Sequence, residues 1–111
     1  MVVEDEPSTK EETPLSYSDI IIDPQTRVVK KVKNEINLTA KEFDLLWILA
    51  IHPKRVFTRD RILENVWGIS DFIDPSTVTV HIRRLREKIE NNPSHPLHIL
   101  IVWGIGYKFE P

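Results

Sequence analysis

The sequence contains no cysteine, which removes disulfide frameworks, thiolate metal sites and cysteine nucleophiles together. It also lacks a long apolar run: the stretch 97–102 is interrupted by His98 and is far too short to span a membrane. The amino terminus is acidic, with no basic segment leading into an apolar one, so no signal peptide is read there and a cytoplasmic location is the default expectation. No Gly-rich phosphate loop, nucleophile triad or metal-ligand set can be assembled, so neither an enzyme nor a cofactor is expected. His95 and His98 stand three apart, but in a proline-broken loop with no third ligand nearby, which makes a poor metal site. There is no internal repeat and no low-complexity tract.

What remains is 111 residues, 41% of them hydrophobic, enough for one core and therefore one domain. The net charge of −2 argues against a nucleic-acid partner only until it is divided along the chain. Residues 1–24 hold seven acids and one lysine, leaving ten acids against fourteen Lys and Arg in the rest, a surplus of four positive charges. Residues 1–14 are rich in Glu, Thr and Pro with almost nothing to bury, and read as a flexible acidic linker. The folded domain is expected over 15–111.

Short apolar or alternating pieces at 15–17, 20–22, 27–32 and 35–38 are separated by the turn signals Asp23-Pro24 and Lys33-Asn34, the pattern of a small antiparallel sheet. Thr39-Ala40-Lys41-Glu42 matches the capping box that opens a helix, and Phe43, Leu46, Trp47 and Ala50 follow at helical spacing until His52-Pro53. Thr58 caps a second helix with an apolar face of Ile62, Leu63, Val66 and Trp67, stopped by Gly68. Trp47 and Trp67 are most simply core residues. After a loop at 69–73, Asp74 caps a third helix with Pro75 at its first position, which Asn91-Asn92-Pro93 ends near Glu90. Strands at 97–102 and 107–109, joined through Trp103-Gly104-Ile105-Gly106, complete the chain as a hairpin.

The third helix carries the chemistry. Val78, Ile82, Leu85 and Ile89 share one narrow stripe, the core side. That places Ser76, Thr79, Val80, Arg83, Arg84 and Glu87 outward, with Thr77, His81, Arg86 and Lys88 on the flanks. A solvated helix whose arginines pair with Glu87 and Glu90 is the plain alternative. Against it, arginine fills three of four basic positions, which suits forked recognition of phosphate and guanine. Val80 is apolar in the middle of the basic side, where a thymine methyl would meet it, and small Ser76, Thr77 and Thr79 keep the leading end slim. A supporting helix pair followed by an exposed basic helix is the helix-turn-helix arrangement.

At this point the residues resemble a family. Residues 38–46 (LTAKEFDLL), 66–68 (VWG), 77–88 (TVTVHIRRLREK) and 102–107 (VWGIGY) closely resemble the OmpR/PhoB family of winged-helix response regulators, in order and with consistent spacing across about residues 15–110. The resemblance implies an α+β fold: an amino-terminal four-stranded antiparallel sheet, a three-helix core and a carboxy-terminal β-hairpin, the wing, which approaches the adjacent minor groove or backbone. It implies sequence-specific binding of double-stranded DNA for transcriptional regulation, with the third helix in the major groove. Base contacts fall at or near Thr77, Thr79, Val80 and Arg84, and phosphate contacts at His81, Arg83 and Arg86. Many relatives carry arginine where Trp103 stands in the wing; without that charge Trp103 is left to pack on the sheet or against a sugar, and Lys108 to touch a phosphate.

In such regulators a phosphorylatable receiver domain, served by a sensor kinase, precedes this module and promotes tandem dimers on direct-repeat sites. The isolated domain is therefore expected to be mostly monomeric. The loop between the second and third helices often contacts RNA polymerase, which here draws attention to Asp71, Phe72 and Asp74; the alternative is that Phe72 fills a gap in the core. A winged helix used for protein–protein interaction is the rival function, and it predicts an apolar surface in place of three arginines.

Overall fold

A computed structural model describes residues 13–68 and 73–111. The chain opens with β1 (Leu15–Tyr17), β2 (Ile20–Asp23), β3 (Val28–Lys31) and β4 (Asn34–Ile36), antiparallel neighbours in that order. The Asp23-Pro24 signal acts as a turn: the Asp23 carboxylate accepts from the N–H groups of Gln25 at 2.9 Å and Thr26 at 3.4 Å, the local competition that draws aspartate into turns. The register pairs Ile22 with Leu15 and Val29, and Val29 with Ile36, so one face of the sheet is apolar and packs inward.

Helix α1 (Ala40–Ala50) begins with the expected capping box: Thr39 Oγ1 accepts from the Glu42 N–H at 3.2 Å, and Glu42 Oε1 accepts from the Thr39 N–H at 3.0 Å. Helix α2 (Arg59–Val66) is capped by Thr58, whose hydroxyl accepts from the Arg61 N–H, and it stops at Gly68, at φ 93°. Helix α3 (Ser76–Ile89) is followed by β6 (Ile99–Val102) and β7 (Gly106–Phe109), paired antiparallel. Strand β6 starts two residues later than the apolar pattern suggests, because Leu97 is solvent-exposed.

One strand has no counterpart in the sequence reading. β5 (Phe57–Thr58) pairs with β7 and makes a three-stranded sheet in the order β5-β7-β6. Two residues are too few to show alternation, but Gly106 is the trace it leaves: a Cβ there would collide with the Phe57 carbonyl. The core lies where α1, α2 and α3 meet, closed by Ile20, Ile22 and Val29 from one sheet and Ile99, Tyr107 and Phe109 from the other. Tyr17 ties the layers together, its ring 5.3 Å from that of Phe109 and its hydroxyl donating to the Ala50 carbonyl at 3.0 Å.

Candidate nucleic-acid interface

The third helix is built so that one face is committed to the core and the other is left to solvent. Its head is set by Asp74, whose carboxylate accepts from the Ser76 N–H at 2.9 Å, while Pro75 takes helical geometry at φ −55°. Hydrogen bonds from the Ser76 backbone and side chain hold the Asp74 carboxyl below the usual aspartate range. Asp74 thus braces the turn leading into the helix, one residue ahead of the expected cap geometry: Pro75 takes the N-cap position, without a side-chain cap, and the helix starts at Ser76. Asp71 and Phe72, the other two residues marked for a polymerase contact, lie outside the described residues.

Val78, Ile82, Leu85 and Ile89 are all buried, and the six residues projected outward, Ser76, Thr79, Val80, Arg83, Arg84 and Glu87, are all exposed. Val80 keeps 38% of its surface in water although it is apolar. Among the described residues Arg83 and Arg84 make no ion pair and no hydrogen bond; the ion pairs there join Arg27 to Asp44, Lys88 to Glu42 and Lys108 to Glu110. The arginine-to-Glu87 and arginine-to-Glu90 pairs of a self-satisfied helix are therefore not made.

The flanks are tethered. His81 Nδ1 donates to the Thr77 carbonyl at 2.9 Å and its ring meets Trp67 edge-on at 5.0 Å, which leaves Nε2 as the nitrogen for an outside partner. Arg86 Nε donates to the Ile99 carbonyl at 2.9 Å, so only its two terminal nitrogens remain for another acceptor. Lys88 turns away from the basic face altogether and donates to Glu42 Oε1 at 2.6 Å. Burial pushes the Glu42 carboxyl up, but the hydrogen bonds from Lys88 and Thr39 and the charges of Lys88 and His81 outweigh it and hold the group below its ordinary value.

Two carboxylates thus have roles that the sequence reading missed. Glu42 was legible as half of a capping box, but not as the anchor for the tail of the third helix. Glu90, only 6% exposed, accepts from three consecutive backbone N–H groups, those of Leu97 and His98 at 2.9 Å and of Ile99 at 2.7 Å. With Arg86 on the Ile99 carbonyl, the last turn of α3 holds both backbone polar groups of the first residue of β6.

Farther along the hairpin, residues 101–107 line a groove of about 450 Å³ with Thr58, Arg59 and Asp60 at the start of α2 and Pro75 just ahead of α3. Trp103 does not pack on the sheet. It sits in the turn between β6 and β7 and is 83% exposed. Lys108 lies on β7 with Nζ 3.7 Å from Glu110 Oε1.

Comparison with known proteins agrees with this geometry. Residues 33–109 match the family described as transcriptional regulatory protein, C terminal. The chain is 45% identical over 108 residues to the DNA-binding response regulator MtrA of Mycolicibacterium smegmatis, covering 97% of this chain and 46% of that protein. It is 46% identical over 99 residues to the alkaline phosphatase synthesis transcriptional regulatory protein SphR of Synechococcus elongatus, covering 87% and 38%. The chain thus spans less than half the length of these curated relatives. Among solved structures, the response regulator DrrB of Thermotoga maritima, an OmpR/PhoB homologue, superposes with a TM-score of 0.83 at 35% identity over 88% of this chain and 44% of that one. The DNA-binding domain of Klebsiella pneumoniae RstA, solved in complex with the RstA box, superposes with a TM-score of 0.79 at 36% identity over 87% and 96%.

Proposed function

The chain belongs to the OmpR/PhoB-type family of transcriptional regulatory carboxy-terminal domains, which bind DNA to regulate transcription, and from that premise we propose that it reads a specific duplex sequence with α3 in the major groove. Thr77, Thr79, Val80 and Arg84 contact base edges. His81, Arg83, Arg86 and Lys108 contact phosphates. The observation that carries this reading is the pair of exposed arginines, Arg83 and Arg84, with no acidic partner among the described residues, on the face opposite a fully buried stripe. Side chains held ready but unpaired suit an external polyanion. Arg84 lies one turn from exposed Val80, so guanine recognition and thymine-methyl contact fall side by side.

The larger protein supplies the control. A receiver domain, phosphorylated by a sensor kinase, brings two such domains together on direct repeats; the loop containing Asp71 and Phe72, ending at Asp74, meets RNA polymerase. DNA selected from a random pool, then titrated at several salt concentrations, tests the interface. Arg84→Ala should weaken the selected duplex by about 1–3 kcal/mol and relax preference at one base pair. Arg83→Ala should weaken selected and random duplexes alike and reduce the salt slope by about one phosphate. Equal effects of both substitutions on selected and random DNA would mean the reading face is misassigned. Binding indifferent to salt would favour a protein partner.

A further inference from the structure

His81 sits half-buried at the seam between the reading helix and its support, with Nδ1 2.9 Å from the Thr77 carbonyl. That contact decides which nitrogen carries the ring's proton. A carbonyl oxygen only accepts, and in a helix the Thr77 carbonyl already takes the backbone N–H of His81 on one lone pair. The second lone pair takes Nδ1–H. A neutral imidazole has a single N–H, and here it is spent inside the protein. Nε2 of the neutral ring is therefore a bare acceptor, and among the described residues it has no hydrogen-bond partner.

The ring is held in this orientation from both sides. Its edge contact with Trp67 is at 5.0 Å, and Trp67 is backed by α1, where Lys41 Nζ lies over the indole at 6.0 Å and donates to the Val66 carbonyl at 2.8 Å. The charged groups around the ring come from every helix that meets it. On α1 they are Lys41 and Glu42, the latter already paired with Lys88 at 2.6 Å. On α2 Glu64 stands one turn before Trp67, and on α3 Arg84 lies one turn beyond His81. Neither carboxylate is hydrogen-bonded to Nε2, so a second N–H on this ring has no acceptor among the described residues. A phosphate supplies one. Its oxygens only accept, so against a neutral ring two lone pairs face each other, whereas against an imidazolium the same approach is a charge-assisted hydrogen bond.

We infer that His81 grips a DNA phosphate only as the imidazolium, so that forming the complex transfers one proton from solvent to Nε2 and links DNA affinity to pH. The inference rests on the proposed reading of α3, in which His81 meets a phosphate. Arg83 and Arg84 stay charged throughout the working range and supply a grip that pH does not touch. His81 makes a further part of the grip conditional, tightening it as pH falls through the range in which histidine gains its charge.

The test uses the 111-residue chain and a duplex selected by it from a random pool. Affinity should fall about tenfold between about pH 6 and about pH 8. Titration calorimetry near neutral pH, in buffers of different ionisation enthalpy, should show uptake of more than about half a proton per duplex bound. His81→Gln, whose amide donates at any pH, should abolish the uptake and flatten the profile, with a thermal melt to check the fold; the calorimetry on the unaltered chain decides the matter if that variant does not fold. In the free chain at mildly alkaline pH, ¹⁵N spectra of the imidazole should place the proton on Nδ1. Complex formation without proton uptake would overturn the inference while leaving the α3 reading in place, since a neutral ring would then reach the phosphate through water. A proton on Nε2 in the free chain would overturn it too. So would a pH profile unchanged in folded His81→Gln, which would assign the uptake to His52, His95 or His98, none of them on α3. Failure of wild type to bind any selected duplex would instead remove the α3 reading, and this inference with it.

Discussion

Replacing Lys88 with methionine separates two things that a helical projection cannot: which cations face DNA and which hold the reading helix in place. Lys88 Nζ sits 2.6 Å from Glu42 Oε1, and the same oxygen accepts from the Thr39 N–H at 3.0 Å. The glutamate side chain is 2% exposed and the lysine 36%, so this is a pair with one buried end and one screened end. A charge-assisted hydrogen bond contributes about 1.5–3 kcal/mol; discounting for the lysine's contact with water favours about 1.5–2 kcal/mol. For a domain of this size that predicts a fall in Tm of roughly 6–15 °C.

The pH dependence has a definite sign. The folded carboxyl of Glu42 lies below its ordinary value of 4.5, so its contribution is complete above 4.5 and is lost as pH falls through the folded value. The advantage of wild type over Glu42→Gln should accordingly be full at neutral pH and shrink under acid. A double-mutant cycle with Glu42→Gln and Lys88→Met, read by thermal and urea unfolding, measures the coupling. A coupling below about 0.5 kcal/mol would place the pair among ordinary surface contacts and refute the argument. DNA titration adds an independent check: Lys88→Met should leave the salt slope unchanged, and a slope reduced by about one would show that Lys88 abandons Glu42 to grip a phosphate.

Gly106→Ala should destabilise the domain severely, because the added methyl meets the Phe57 backbone and forces β5 away from β7; a Tm within a few degrees of wild type would show that the strands can part cheaply. Arg86→Lys keeps a charge but loses the guanidinium fork that holds the Ile99 carbonyl while offering further donors; affinity should fall on all duplexes, and full activity would mean that charge alone suffices there. In sedimentation the isolated chain should run as a monomer, and a stable dimer without DNA would contradict the role given to the receiver domain. Phe72→Ala with Asp71→Ala should leave DNA affinity nearly unchanged yet lower transcription in a reconstituted assay, and equal losses in both would remove the polymerase contact.

Where local chemistry decides the structure, the sequence was readable. The Thr39 capping box, Thr58, the Gly68 stop and the stripe from Val78 to Ile89 all stand where their patterns put them, because each depends on residues within a turn or two of one another. The exposed set on α3 followed from the same periodicity. Tertiary partners were not readable. Lys88 belongs by angle to the flank of the basic face, yet Glu42, 46 residues away in sequence, draws it inward. Glu90 was weighed as an arginine partner, but its carboxylate turns to backbone N–H groups beyond a proline-broken loop, and backbone donors leave no mark in a side-chain pattern. β5 escaped for want of length, and the exposure of Trp103 could not be told from packing because both suit a tryptophan in a hairpin turn.

The Glu90 nest also bears on how this protein can be altered. Since the start of β6 is held directly by the last turn of α3, the intervening residues 91–96 need not act as the spacer that sets the strand's position. Closing a longer loop costs little, about 0.6 kcal/mol for each doubling of its length. Inserted residues should therefore bulge into solvent while the hairpin stays in register, which makes this segment a suitable attachment point for a fluorophore or a fused peptide that leaves the wing where it is.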